Sequence, residues 1–92
     1  MSTMDTTKYA SYGNGHYQVQ RGEKTWDTTR SELLGVMPVC GSDSVLYKDP
    51  ENGYFVISFS KVRDLPGFTP LNNSEGKLWE KGIENYWAGK RA

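Results

Sequence analysis

Hydrophobic and polar positions change rhythm several times along this chain. Thr7–Tyr12 and His16–Arg21 are short runs carrying Tyr and Val, separated by Gly13-Asn14-Gly15. Gly and Asn tolerate the positive φ that tight turns require, so the pattern predicts a β-hairpin in which Tyr17 and Val19 share a face, with Tyr12 or Tyr9 opposite. Gly22 to Lys24 breaks the run. Thr29 then stands three residues before Glu32, a capping-box spacing ahead of Leu33-Leu34, and Gly35 follows as a stop. These residues predict a helix of about two turns, with Trp26, Leu33 and Leu34 turned inward.

Val36 to Cys40 is apolar but carries Pro38, which suits an edge strand or an extended connector. Ser44–Lys48 and Tyr54–Ser60 flank Asp49-Pro50-Glu51-Asn52-Gly53, a strong turn sequence. In the second arm Phe55, Ile57 and Phe59 alternate with Tyr54, Val56 and Ser58, which predicts a central strand with one apolar face and one partly polar face. The stretch from Leu65 to Asn73, with Pro66, Gly67 and Pro70, reads as a long loop.

The last element is the clearest. Leu78, Trp79, Ile83, Tyr86 and Trp87 recur at helical spacing against Glu80, Lys81, Glu84 and Asn85. Asn73 or Ser74 is the expected cap, Gly89 the expected end, and Lys90 and Arg91 suit the negative end of the dipole. Gly82 costs about 1 kcal/mol of helix propensity relative to Ala, and reads as a point of close approach to the sheet. Trp79 is expected to be structural, its truncation costing about 3–5 kcal/mol if buried.

The element order is then ββαβββα or ββαββα. It describes an α+β fold: a small, mostly antiparallel sheet of four to five strands, one short helix, and a C-terminal amphipathic helix on one face. No repeat or composition shift divides the chain, so residues 1–92 are expected to form one domain, with 1–6 fraying.

Composition sharpens this picture. Only 36% of the residues are hydrophobic, but three Trp, six Tyr and three Phe are present. Each aromatic buries on the order of 150–250 Å², so the core is expected to be small and aromatic-rich. Eleven basic and eleven acidic side chains cancel. Proteins that coat duplex nucleic acid usually carry a basic excess, and this chain has none overall. A local basic cluster remains open, formed by Arg21, Lys24 and Arg30 with Lys61 and Arg63; scattered surface charge is its bland alternative. A single cysteine, Cys40, excludes an intrachain disulfide framework and a multi-cysteine zinc site. No leader-like segment or apolar run of about 18 residues is present, which makes the cytoplasm the default expectation.

Candidate chemistry is thin. Cys40 and His16 are the only possible thiol–imidazole pair, and nothing around them marks it; Cys40 reads as a small core residue and His16 as a turn neighbour. The carboxylates lie mostly in turns and on the polar helix face, and the glycines form no phosphate-binding loop. The chain is therefore read as a non-enzymatic binding protein that needs no cofactor and no metal.

Two resemblances bear on what it binds. Asn52-Gly53-Tyr54-Phe55-Val56-Ile57-Ser58-Phe59 is similar in cast to the aromatic strand motif of RNA-recognition domains. It departs from that motif at Asn52, where a basic residue leads, and at Phe55, where a small one follows the aromatic. A core strand is the preferred reading. In brevity, aromatic content, balanced charge and absence of a catalytic motif, the whole chain resembles the phage-encoded anti-CRISPR proteins. Gly76-Lys77-Leu78-Trp79-Glu80 through Trp87 is its most distinctive stretch. Those proteins share no common signature, so no site residue is carried over. The resemblance implies an inhibitor that occupies a protein or ribonucleoprotein surface, with the five basic residues as candidate contacts to that partner or to RNA or DNA phosphates. The rivals are a nucleic-acid-binding accessory domain and an immunity or antitoxin protein. No membrane or small-molecule partner is indicated.

Overall fold

The computed structural model describes residues 7–39, 42–60 and 66–91. Among the described residues, seven strands precede one helix: β1 (Thr7–Gly13), β2 (His16–Arg21), β3 (Lys24–Asp27), β4 (Glu32–Val39), β5 (Ser42–Asp49), β6 (Gly53–Ser60), β7 (Gly67–Pro70) and α1 (Asn73–Arg91). The class is α+β. The strands form two antiparallel sheets, an outer one ordered β1-β2-β3 and a central one ordered β4-β5-β6-β7.

Local sequence accounts for the hairpins. Asn14 and Gly15 both adopt positive φ, 55° and 81°, between the paired residues Gly13 and His16. That is the two-residue turn whose twist matches the flanking strands. In β6, Phe55 and Ile57 face the outer sheet while Tyr54 and Val56 face α1. All four are buried, so this strand is apolar on both sides, as a strand between two layers must be.

The outer face of the core joins Val19 and Trp26 to Val45, Tyr47, Phe55, Ile57 and Phe68. Aromatic rings supply most of its volume. The Tyr47 and Phe55 rings stack at 5.3 Å, and Trp26 meets Phe68 at 4.8 Å in a tilted pair. The buried Trp26 indole N–H finds no acceptor among the described residues. Leaving such a donor unpaired costs about 1–3 kcal/mol, which the packing of the ring must offset. The inner face joins Leu46, Tyr54 and Val56 to Ile83, with Leu34, Met37, Leu71 and Trp79 around them.

Where the expected short helix falls, the chain instead makes a turn and enters β4. Arg30 N–H donates to the Asp27 carbonyl, and Glu32 and Leu33 pair with Lys48 and Tyr47. A two-turn helix is marginal in water, whereas an eight-residue strand beside β5 satisfies its backbone and packs Leu34 against the core. The register shifts between Leu33 and Gly35. Gly35 is not a helix stop but a contact point: a Cβ there would lie 2.7 Å from Ile83 Cγ2. The expected single sheet of four to five strands is thus seven strands in two sheets. Within the described part of the expected 65–73 loop, Gly67–Pro70 pairs with β6 as β7.

The helix differs from expectation in detail. Its cap is Asn72, whose side-chain carbonyl accepts the Glu75 N–H while the Glu75 carboxylate accepts the Asn72 N–H, at 2.8 and 2.9 Å. It runs through Gly89 to Arg91. Gly76, rather than Gly82, is the glycine pressed onto the sheet: a Cβ at Gly76 would collide with the Tyr54 ring, whereas one at Gly82 would make an ordinary contact with Met37 Cε at 3.6 Å. Ile83 is buried, Trp79 only half-buried, and Leu78 largely exposed. Trp87 reaches the edge of the sheet, donating its indole N–H to the Val36 carbonyl at 2.8 Å.

These contacts set the order of mutational costs. Gly76→Ala is expected to destabilise the fold by about 1–3 kcal/mol although Ala is the better helix former. Ile83→Ala should cost about 2–5 kcal/mol, and Leu78→Ala should stay within about 0.5 kcal/mol. Urea unfolding midpoints would rank the three, and a neutral Gly76→Ala would show that the helix does not sit against Tyr54 as described.

Candidate functional site

Two surfaces on opposite sides of the central sheet carry the groups of interest. The first is built around the turn from Asp27 to Ser31, which links the outer sheet to the central one. Asp27 is buried and its carboxylate is fully engaged. Oδ1 accepts the Thr29 N–H and hydroxyl at 2.9 and 2.6 Å, and Oδ2 accepts the Tyr12 hydroxyl at 2.8 Å. Burial pushes the Asp27 carboxyl upward, but the hydrogen bonds from Thr29 and Tyr12 and the charge of Arg30 outweigh it and hold the group below its ordinary value. The same bond to Asp27 raises the Tyr12 hydroxyl.

Thr28 closes the turn from its other side. Its hydroxyl accepts the Tyr17 N–H at 3.1 Å and shares a hydrogen bond with His16 Nδ1 at 3.0 Å. Asp49 repeats the device in the β5–β6 turn, accepting the Glu51 and Asn52 N–H groups at 2.8 and 2.9 Å. The Asn52 amide then bonds the Thr25 carbonyl at 2.7 Å, and Ser31 Oγ donates to the Asp27 carbonyl at 2.6 Å. Each of these carboxylates and hydroxyls is committed to a turn. In those turns they fix the backbone.

The basic residues singled out from sequence have different fates. Arg30 is exposed on the locked turn, with Glu51 at 3.8 Å as an exposed ion-pair partner. Lys24 is exposed at the other end of β3. Arg21 faces inward: its Nε donates to Thr7 Oγ1 at 2.9 Å and its guanidinium lies 5.1 Å from the Phe68 ring centre. Lys61, Arg63 and Cys40 lie outside the described residues.

The second surface is apolar. Met37 on β4 and Leu78, Trp79 and Gly82 on α1 line an open cleft of about 270 Å³. Leu78 is 71% exposed and Trp87 42%. Sequence periodicity assigned both to the buried face. The missed signal was angular: Leu78 lies five residues from Ile83, about 140° around a helix of 3.6 residues per turn, and cannot share its inward direction.

No protein-family model, curated protein or solved structure matches this chain. Among the described residues, no group of three or more His, Cys, Asp or Glu side chains could hold a metal ion. No helix among the described residues is long and apolar enough to cross a membrane.

The Asp27 lock has a pH signature. Because its folded pKa lies below the ordinary value of 3.8, its contribution is complete above that value and is lost as pH falls through the depressed folded one. Wild-type stability should therefore fall on acidification below about pH 4, with a smaller fall in Asp27→Asn, which should itself cost about 1.5–3 kcal/mol at pH 7. Denaturant titrations at pH 7 and pH 3 check both; equal acid sensitivity in the two chains would remove Asp27 as the cause.

Proposed function

We propose that the chain is a non-enzymatic binding protein, a phage-encoded inhibitor of the anti-CRISPR type that occupies a functional surface of a bacterial defence ribonucleoprotein. The observation that supports this reading is the presentation of Arg30. Its side chain is exposed, while the turn beneath it is held by the Asp27, Thr28 and Ser31 hydrogen bonds. A cation on a pre-organised turn loses little freedom on binding, and a guanidinium suits carboxylate or phosphate acceptors. Lys24 extends the same contact along β3. Arg21 is half-buried and anchors the outer sheet through Thr7 and Phe68, and its remaining exposed surface keeps it in the proposed contact. Lys61 and Arg63 belong to the proposal on their sequence position alone.

Capture of tagged protein from a CRISPR-bearing bacterial lysate, with and without nuclease, tests the reading. A CRISPR effector complex should be recovered in both conditions, and the chain should restore phage growth on a strain that uses that complex. Arg30→Ala and Lys24→Ala should each weaken the purified interaction about tenfold, a loss of about 1.4 kcal/mol, with unchanged thermal midpoints. Recovery of a toxin would replace this reading with an immunity-type protein. Recovery of nucleic acid alone, lost at raised salt, would replace it with a nucleic-acid-binding accessory domain.

A further inference from the structure

Asparagine followed by glycine occurs twice in this chain, at Asn14-Gly15 and at Asn52-Gly53. Glycine has no side chain to hinder its own backbone nitrogen, so at such a pair that nitrogen can reach the preceding side-chain amide. The fold treats the two pairs differently. Asn14 and Gly15 form the exposed tip of the β1–β2 hairpin, and neither the Asn14 amide nor the Gly15 N–H has a hydrogen-bond partner among the described residues. A Cβ added at Gly13 or Gly15 would meet nothing within 4 Å, so the space around the tip is open. Asn52 is held at both ends. Its amide nitrogen donates to the Thr25 carbonyl at 2.7 Å, its backbone N–H donates to Asp49 Oδ1 at 2.9 Å, and Gly53 is paired opposite Asp49 at the start of β6.

We infer that Asn14 is a site of spontaneous deamidation in the folded protein, with water as the co-reactant, and that the fold protects Asn52 from the same reaction. The Gly15 nitrogen gives up its proton and attacks Asn14 Cγ. A C–N bond forms, the bond from Cγ to the side-chain nitrogen breaks, and that nitrogen leaves with the proton as ammonia. The product is a five-membered succinimide. Water then adds to one of its two carbonyls and opens the ring, leaving aspartate or isoaspartate at position 14. At the hairpin tip this approach needs only local rotation. At Asn52 it needs the Thr25 bond to be given up and the end of β6 to open, so only a minor, opened population can react.

The product changes the molecule where it matters. Deamidation gives a chain of zero net charge one negative charge, at a hairpin end seated on the Asp27–Ser31 turn by Tyr12 against Asp27 and His16 against Thr28. Isoaspartate also carries the chain through its Cβ, and a two-residue turn has no slack for an extra backbone atom while Gly13 stays paired with His16.

Incubation of the folded full chain in mildly alkaline buffer, followed by tryptic digestion and mass spectrometry, tests the site. The peptide of residues 9–21 should gain the mass of the amide-to-acid exchange at least about tenfold faster than the peptide of residues 49–61. In urea, where the fold gives no protection, the two peptides should react at similar rates. Asn14→Gln should abolish the gain in the first peptide, because glutamine would have to close a six-membered ring, and should leave the second unchanged. A smaller ratio in the folded chain overturns the inference. So does a ratio that persists in urea, or a mass gain in the first peptide that survives Asn14→Gln.

Discussion

Burial of the central sheet on both faces is the constraint from which the other features follow. In β6, consecutive residues alternate between two cores, Phe55 and Ile57 toward the outer sheet, Tyr54 and Val56 toward α1. Such a strand cannot be satisfied by one covering layer, because half of its apolar side chains would remain in water. The chain therefore needs both the preceding hairpins and the following helix. With few aliphatic residues available, the outer layer fills its core with rings: Trp26, Phe68, Phe55 and Tyr47 form a continuous series of contacts. The unpaired Trp26 N–H is consistent with this dependence. The site keeps a large ring at the expense of one unsatisfied donor.

A layered fold of this size must also hold its layers in register. Here short polar side chains do so. Asp27 and Asp49 stand at the ends of β3 and β5 and draw turn N–H groups onto their carboxylates. Asn52 spans from the β5–β6 turn to the Thr25 carbonyl, so the two sheets are joined beyond their apolar contact. The exposed edge of β4 is managed in a related way. Pro38 offers no N–H there, and Trp87 occupies the Val36 carbonyl. Both devices discourage another strand from adding to that edge.

Much of this was legible from sequence because it depended on local chemistry. Asn14-Gly15 specified its turn, Pro38 allowed the edge strand that forms, and the alternation in Tyr54–Ser60 marked a central strand, though its second face was read as partly polar and is buried at Tyr54 and Val56. The helix face was legible only in part, since periodicity identified Ile83 as buried but could not say how far around the helix the contact extends. Misreadings arose where distant residues decided the outcome. Thr29 and Glu32 have the spacing of a helix start, but Thr29 is taken by Asp27 and Leu33 by pairing opposite Tyr47. Gly35 and Gly76 look like punctuation until Ile83 and Tyr54 are placed against them. Arg21 looks like a surface cation until Phe68 is brought under it. Apart from Asp27, two residues from Thr29, none of those partners is near in sequence.

The division of labour between the two sides of the molecule follows from the same layering. On the outer side, the available groups are polar and rigidly mounted, which favours a contact whose strength comes from a few directed interactions. On the α1 side, an apolar cleft beside the exposed Leu78 opens among exposed charged side chains such as Lys77, Lys81 and Glu84. The two faces thus differ in what could hold a contact: directed polar groups on a locked turn on the outer side, shape around an apolar cleft on the α1 side.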